Sequence, residues 1–140
     1  REEGLTVHQR NHLSYFDAQA IVAAIQAVLE REGKDAAVAV VDAQGELIAF
    51  LRTDGCPLPS INNAIHKAYT AARERKPSGA IGRASRDEGF PMTNFGDLRY
   101  TGWGGGVPLV YLGQVVGAVG VSGLPEAEDE RLAAIGAAVV

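Results

Sequence analysis

Histidines are the first residues in this sequence whose chemistry suits a metal site or a proton transfer. His8 and His12 stand four residues apart near the start of the chain, and His66 follows much later. An imidazole is a good ligand for iron, and it titrates near neutral pH. The residues around His8 and His12 indicate no helix, so their spacing predicts no helical two-histidine metal site. His12 remains a candidate ligand, whereas we expect His66 to face solvent on a helix.

A cationic and aromatic cluster of Arg99, Tyr100 and Trp103 precedes a run of glycines. The run comprises Gly104, Gly105 and Gly106. An arginine holds a carboxylate through two hydrogen bonds, and the N–H groups of glycines can approach an anion closely. The run leads into an apolar strand rather than a helix, so it is not a nucleotide-phosphate loop. Ligand binding at the glycines and simple packing against them both remain open.

His66 and Lys67 lie on the polar face of the second predicted helix. We expect a ligand pocket where residues 103–106 meet this face. In an enzyme, Tyr100, His66 or Lys67 would be the group that moves a proton, and Arg99 would hold a substrate carboxylate. A polar helix face is also commonly just solvated, so these catalytic candidates stay open.

The elements that must position these residues alternate helices with hairpins. Apolar residues with helical spacing, an N-cap at Ser14 and a stop at Gly33 predict the first helix. Val-rich runs around short turns predict two hairpins of buried strands. The elements predicted later in the chain are a helix capped by Ser60 and ended by Pro77, a short helix from Ser78, a hairpin ending at Ser122 and a last helix after Pro125. We expect one antiparallel sheet flanked by helices, with an extra strand near residues 99–105.

Composition limits the class of protein. The chain has 140 residues, which suits one domain over residues 14–140 after an N-terminal arm over residues 1–13. A net charge of −4 argues against a nucleic-acid partner, and the single cysteine, Cys56, excludes an internal disulfide and a cysteine-based metal site. No apolar run approaches the ~18 residues of a membrane span. We expect a cytoplasmic protein, with secretion left open because the sequence opens on Arg1.

Five short motifs occur in order over about residues 12–140. They are His12-Leu13-Ser14, AVVDAQG at 39–45, KAYTA at 67–71, GGGVP at 104–108, and GAVGVSGLP at 117–125 with acidic residues at 128–130. Each motif is weak alone. The ordered set resembles the GlcG/HbpS-like family of small haem-associated proteins, which includes the C-terminal domain of PduO-type proteins.

The resemblance implies an α/β (α+β) fold, a profilin-like or PAS-like sandwich around a five-stranded antiparallel sheet, and a homo-oligomer. It implies that a histidine just ahead of the first helix ligates haem iron, and His12 stands at that position. The haem propionates would then lie near Arg99 or Lys67, with Trp103 and the glycine run completing the cofactor site. His12 would reach the iron, if needed, from a neighbouring subunit.

One stretch departs from the family pattern. Residues 97–103 (DLRYTGW) are more polar and aromatic than the family's usual lead-in to the glycines, which indicates a subgroup with a different ligand. We therefore keep three functions, in order of preference. The first is a haem-binding or haem-sensing protein, and the second is an isomerase, tautomerase or lyase acting on a small carboxylated or aromatic catabolite. The third is an oligomeric scaffold without a small ligand.

Overall fold

The computed structural model describes residues 4–140, so residues 1–3 of the predicted arm lie outside the described residues. The predicted order of helices and hairpins is confirmed. The elements are α1 (Tyr15–Glu32), β1 (Ala37–Asp42), β2 (Leu47–Arg52), α2 (Pro59–Glu74), α3 (Ser78–Asp87), a short 3₁₀ turn (Met92–Phe95), β3 (Gly106–Tyr111), β4 (Gln114–Ser122) and α4 (Glu126–Ala137).

Among residues 4–140 the sheet has four antiparallel strands in the order β2-β1-β4-β3, so the prediction of five strands is wrong. The expected extra strand near residues 99–105 does not form. Within this segment, Thr101 N–H donates to the Thr70 hydroxyl at 3.0 Å, and the Gly105 carbonyl oxygen, next to β3, accepts from Val121 N–H of β4. Gly105 has a φ of +127°, a conformation that interrupts an extended strand.

Helices cover both faces of the sheet. In β1, Val38 and Val40 pack with α1 and α4, while Ala37, Ala39 and Val41 pack with α2. This is the alternation expected of a strand that is buried on both sides. The fold is therefore an α/β/α sandwich, with branched side chains on the α1–α4 face and mostly alanines under α2.

The small residues under α2 bring that helix unusually close to the sheet. A Cβ atom added at Gly106 would clash with the Lys67 carbonyl oxygen, and one at Gly120 would clash with the Ala64 carbonyl oxygen. Both glycines are thus required by the contact between α2 and strands β3 and β4. Helix packing, one of the two interpretations that the sequence left open, therefore accounts for the glycine at position 106.

The helix boundaries match the predicted caps only in part. The Ser14 side chain accepts from Asp17 N–H at 3.2 Å, and Gly33 ends α1 in the left-handed conformation, as expected. Ser60 is not a cap, because α2 already begins at Pro59 and Ser60 lies buried inside its first turn. Within residues 4–140, no helix combines the length and apolar character required to cross a bilayer.

Candidate functional site

A cleft of about 660 Å³ opens at the end of the sheet where β4 finishes. It lies between the first turns of α2 and α4, and we call it the Lys67 cleft. Its wall includes Ser60, Lys67, Trp103, Gly104, Ser122 and Asp129. The cleft is thus found where the glycine segment meets α2. The volume falls within the range of about 300–1,000 Å³ that is usual for small-molecule sites.

Lys67 is buried rather than solvent-facing, which corrects the expectation of an exposed polar face. Its side chain is 4% exposed, and Nζ lies 3.1 Å from the Asp129 carboxylate and donates to the Val121 carbonyl oxygen at 3.0 Å. A Cβ added at Gly105 would lie 3.1 Å from the Lys67 Cδ atom. The missing side chain at Gly105 therefore leaves room for the lysine to reach α4 from α2, across the sheet.

The Asp129 carboxylate is the charged partner in this pair. Burial raises its pKa above the usual value, while the Lys67 ammonium acts in the opposite direction. Its second oxygen accepts from Leu124 N–H at 3.1 Å, so both oxygens have hydrogen-bond partners. The pair connects two helices on opposite faces of the sheet, and its breakage would leave an uncompensated charge in the interior.

Two serine hydroxyls complete the floor of the Lys67 cleft. Ser60 and Ser122 are each more than nine-tenths buried as residues, but no buried side-chain oxygen among residues 4–140 lacks a hydrogen-bond partner, so their unbonded hydroxyl oxygens are accessible. Both serines line the cleft, so the remaining accessible surface of these residues faces it. The sequence interpretation missed both: Ser60 resembles an N-cap, and Ser122 resembles an ordinary strand end.

The glycine run is held by side chains from two helices. Gly104 N–H donates to the Glu126 carboxylate at 2.7 Å, and Gly106 N–H donates to the Ser78 hydroxyl at 2.9 Å. Ser78 also donates to the Trp103 carbonyl oxygen at 2.7 Å. These two glycine N–H groups are therefore already bonded within the protein, and Ser78, the first residue of α3, holds the loop in place.

Arg99 and Tyr100 do not line the Lys67 cleft. Arg99 forms a two-bond pair with Asp97, with Nε–Oδ1 at 3.1 Å and Nη2–Oδ2 at 3.2 Å. Its guanidinium lies 4.1 Å from the centre of the Tyr69 ring. Tyr100 donates to Glu74 at 2.9 Å. These contacts tie the segment that follows the 3₁₀ turn to the C-terminal half of α2.

The contacts around Arg99 shift the pKa values of three neighbouring groups, Asp97, Tyr69 and His66. The Arg99 guanidinium, together with the Tyr69 hydroxyl, holds the pKa of Asp97 well below its usual range. Burial, with the Asp97 carboxylate, raises the pKa of Tyr69 to about 12. His66 is half-buried beside these groups, and burial, reinforced by Arg99, lowers its pKa.

His12 lies in a separate cleft of about 340 Å³, which we call the His12 cleft. Its imidazole Nδ1 accepts from Ala43 N–H at 3.3 Å and lies 3.9 Å from the Asp42 carboxylate. The Nε2 atom has no hydrogen-bond partner among the residues that the structure describes. The wall beside the ring includes Leu13, Tyr111, Val116 and Val140.

The two clefts lie at opposite ends of β4. Leu13 N–H donates to the Val116 carbonyl oxygen near the start of the strand, whereas Ser122 at its end lines the Lys67 cleft. Six residues of extended chain span roughly 20 Å. One protomer therefore does not bring His12 together with Trp103 and the glycine run. In residues 4–140, no group of three or more His, Cys, Asp and Glu side chains is placed to hold a metal ion.

Comparisons with known proteins agree with this architecture. GlcG of Escherichia coli strain K12 is 37% identical over 116 residues, which cover 79% of this chain and 81% of that protein. A crystal structure of a double mutant of HbpS from Streptomyces reticuli has a TM-score of 0.86 and 30% identity, covering 96% of this chain and 90% of that chain.

A third solved structure is similar to this chain in its fold alone. The crystal structure of a PduOC:haem complex has a TM-score of 0.84 at 23% identity, covering 92% of this chain and 95% of that chain. A family model described as "Haem degrading protein HbpS-like" matches residues 13–138. Because that model spans nearly the whole chain and GlcG is 37% identical over most of both proteins, this protein belongs to the HbpS-like family.

Proposed function

We propose that this protein binds haem in the His12 cleft, with His12 as the protein ligand to iron. The observation that carries the proposal is the imidazole itself, whose side chain is 37% exposed and whose Nε2 atom lacks a partner among residues 4–140. The family description, which names haem, supports the same ligand. Bound haem would supply an iron centre able to bind small ligands or change its oxidation state.

The surroundings of His12 fit a haem ligand. Asp42 and Ala43 contact the Nδ1 side of the ring and so orient the opposite nitrogen. For Nε2 to bind iron, Nδ1 must carry the ring proton, so the bond from Ala43 N–H would be replaced by a hydrogen bond from Nδ1 to the Asp42 carboxylate, which lies 3.9 Å away. Leu13 and Val116 add an apolar wall beside the ring, which suits a porphyrin face.

The cations expected to hold the propionates are different from those that the sequence analysis named. Arg99 is paired with Asp97, and Lys67 is buried with Asp129. Arg10 and Arg75 are exposed and line a neighbouring cavity bounded by Ala43, whose N–H contacts His12. We assign the propionates to these two arginines, since a guanidinium forms paired hydrogen bonds with a carboxylate.

A second copy of the chain is part of this proposal. The large side chains Tyr15, Phe16 and Leu112 are at least 70% exposed near the His12 cleft. A haem that rests with one face on this surface would expose the other face, and a second protomer would cover it. Light scattering should then find at least a dimer in the haem-loaded protein.

The test is a titration of the apoprotein with haem, followed at the Soret band. We expect a shifted, saturable band with wild-type protein and its loss in His12→Ala. His66→Gln is the matched control, because His66 lies on α2, lines neither the His12 cleft nor the cavity of Arg10 and Arg75, and should leave the band intact. A wild-type spectrum in His12→Ala, or loss of the band in both variants, would contradict the assignment of His12.

A further inference from the structure

We propose that the Lys67 cleft binds a small organic carboxylate that also carries a hydroxyl or carbonyl group. This site does not depend on haem, since the His12 cleft lies roughly 20 Å away along β4. The proposal rests on two serine hydroxyls open to the cleft, one arginine without an ion-pair partner among residues 4–140, and the tryptophan at the rim. Each of these selects a different part of the ligand.

Two serine hydroxyls on the wall of the Lys67 cleft are open to a polar ligand group. Ser60 and Ser122 form no side-chain hydrogen bond within residues 4–140, and no buried side-chain oxygen there lacks a partner, so both hydroxyl oxygens are accessible from the cleft. Water can bond to such hydroxyls, so a ligand that fills the cleft has to replace those hydrogen bonds with its own polar groups. Both side chains line the same cleft, so a ligand hydroxyl or carbonyl there would satisfy them together.

The charges around the cleft favour an acid of low charge. Asp129 pairs with Lys67, and Glu126 is bonded to Gly104 N–H, so both carboxylates have partners. Arg86 also lines the cleft, and no ion-pair partner lies within 4.0 Å of it in the part of the chain that the structure describes. An available guanidinium binds a carboxylate, while the two neighbouring acidic groups disfavour a doubly charged phosphate.

Trp103 forms the apolar side of the site. Its side chain is 60% exposed at the rim of the cleft, although Ser78 holds its backbone in place. An aromatic ring that is exposed beside convergent polar groups is typical of a small-molecule site, where it covers the carbon skeleton of the ligand. The ring would become more buried when the cleft is filled.

Trp103 also provides the measurement, because it is the only tryptophan in the chain. We would titrate its fluorescence with glycerate, propionate, glycerol and inorganic phosphate. Glycerate carries both required groups, propionate lacks the hydroxyls, and glycerol lacks the carboxylate. We expect a saturable change with glycerate at an affinity at least tenfold above that of the other three. No saturable change with glycerate, or equal or tighter binding of glycerol, propionate or phosphate, would overturn the proposal.

Variants assign the response to the named groups. Arg86→Gln should weaken glycerate binding by tenfold or more, and Ser122→Ala should weaken it by several-fold. Arg83→Gln is the matched control, because Arg83 is exposed one turn earlier on the same helix and does not line the cleft. Calorimetric titration of the same proteins gives a second measurement that does not rely on Trp103.

The haem proposal and this one fail separately. His12→Ala should retain glycerate binding, and Arg86→Gln should retain the Soret band. Circular dichroism would establish that each variant is folded before binding is compared. Unchanged glycerate affinity in a folded Arg86→Gln protein would overturn the role of the guanidinium.

Discussion

The Lys67 cleft and the His12 cleft stand at the two ends of one strand, yet they are made of different parts. The walls of the Lys67 cleft include two helices, a buried ion pair and two serine hydroxyls, all joined through tertiary contacts. The His12 cleft is formed by an arm without regular structure and by the exposed ends of strands and helices. Its histidine is fixed only by contacts to Asp42 and Ala43.

Because they are built differently, the two clefts should respond differently to substitution. A change at the Lys67–Asp129 pair removes a contact that holds α2 and α4 together, so it should affect folding as well as the shape of the cleft. A change at His12 removes a partly exposed side chain, so it should affect the ligand alone. Four substitutions test this contrast, beginning with the largest expected effect.

Asp129→Ala should reduce the free energy of unfolding by roughly 3–5 kcal/mol, because it leaves the Lys67 ammonium buried without its counter-ion. Chemical denaturation measures the change. The double variant Lys67→Met/Asp129→Leu is the control, since it removes both charges and should lose much less than the sum of the losses in Lys67→Met and Asp129→Leu alone. Additive losses would mean that the ion pair contributes nothing as a pair.

Gly106→Ala should destabilise the protein by about 1–3 kcal/mol, because a Cβ would clash with the Lys67 carbonyl oxygen and push α2 off the sheet. Gly113→Ala is the comparison, since no neighbour lies within 4 Å and only its φ of +77° opposes the change. If thermal unfolding finds Gly106→Ala no worse than Gly113→Ala, the close approach of α2 is not a requirement.

Ser14→Ala should cost about 1 kcal/mol, because it removes the acceptor for Asp17 N–H at the start of α1. Ser14 lines the His12 cleft, so the variant tests whether local hydrogen bonds stabilise this end of the molecule. Ser85→Ala within α3, where no cap is lost, should change the unfolding free energy by less than about 0.5 kcal/mol. Equal effects would argue against a capping role for Ser14.

His12→Ala should have the smallest effect on stability, below about 0.5 kcal/mol, since the side chain is partly exposed and contributes little packing. The same variant should lose the haem band entirely. A large loss of stability would mean that the arm is part of the folded core, and the two ends would then no longer differ.

A pH titration adds a test at His66, which lies on α2 between the two ends. Its lowered pKa means that the unfolded chain takes up a proton more readily below about pH 6.5. Stability should therefore decrease as the pH falls from about 7 to 5. His66→Gln should decrease less over the same range, and identical slopes would exclude this contribution.

The sequence by itself determined the features that depend on near neighbours. The limits of α1 follow from Ser14 and Gly33, which act on backbone groups within a few residues. The hairpins follow from apolar runs on either side of short turns. The ordered motifs also identified the family, which the match over residues 13–138 confirms.

Only the tertiary structure decided the rest, because it depended on residues distant in the sequence. Lys67 has the spacing of a solvent-facing helix residue, but Asp129, 62 positions later, gives it a buried partner. Residues 99–105 resemble a strand lead-in, but the N–H groups of Thr101 and Gly104 donate to side chains of α2 and α4. Arg99 precedes the glycines in sequence, yet its pairing with Asp97 holds it away from the cleft they border, since charge pairing and burial depend on distance in space.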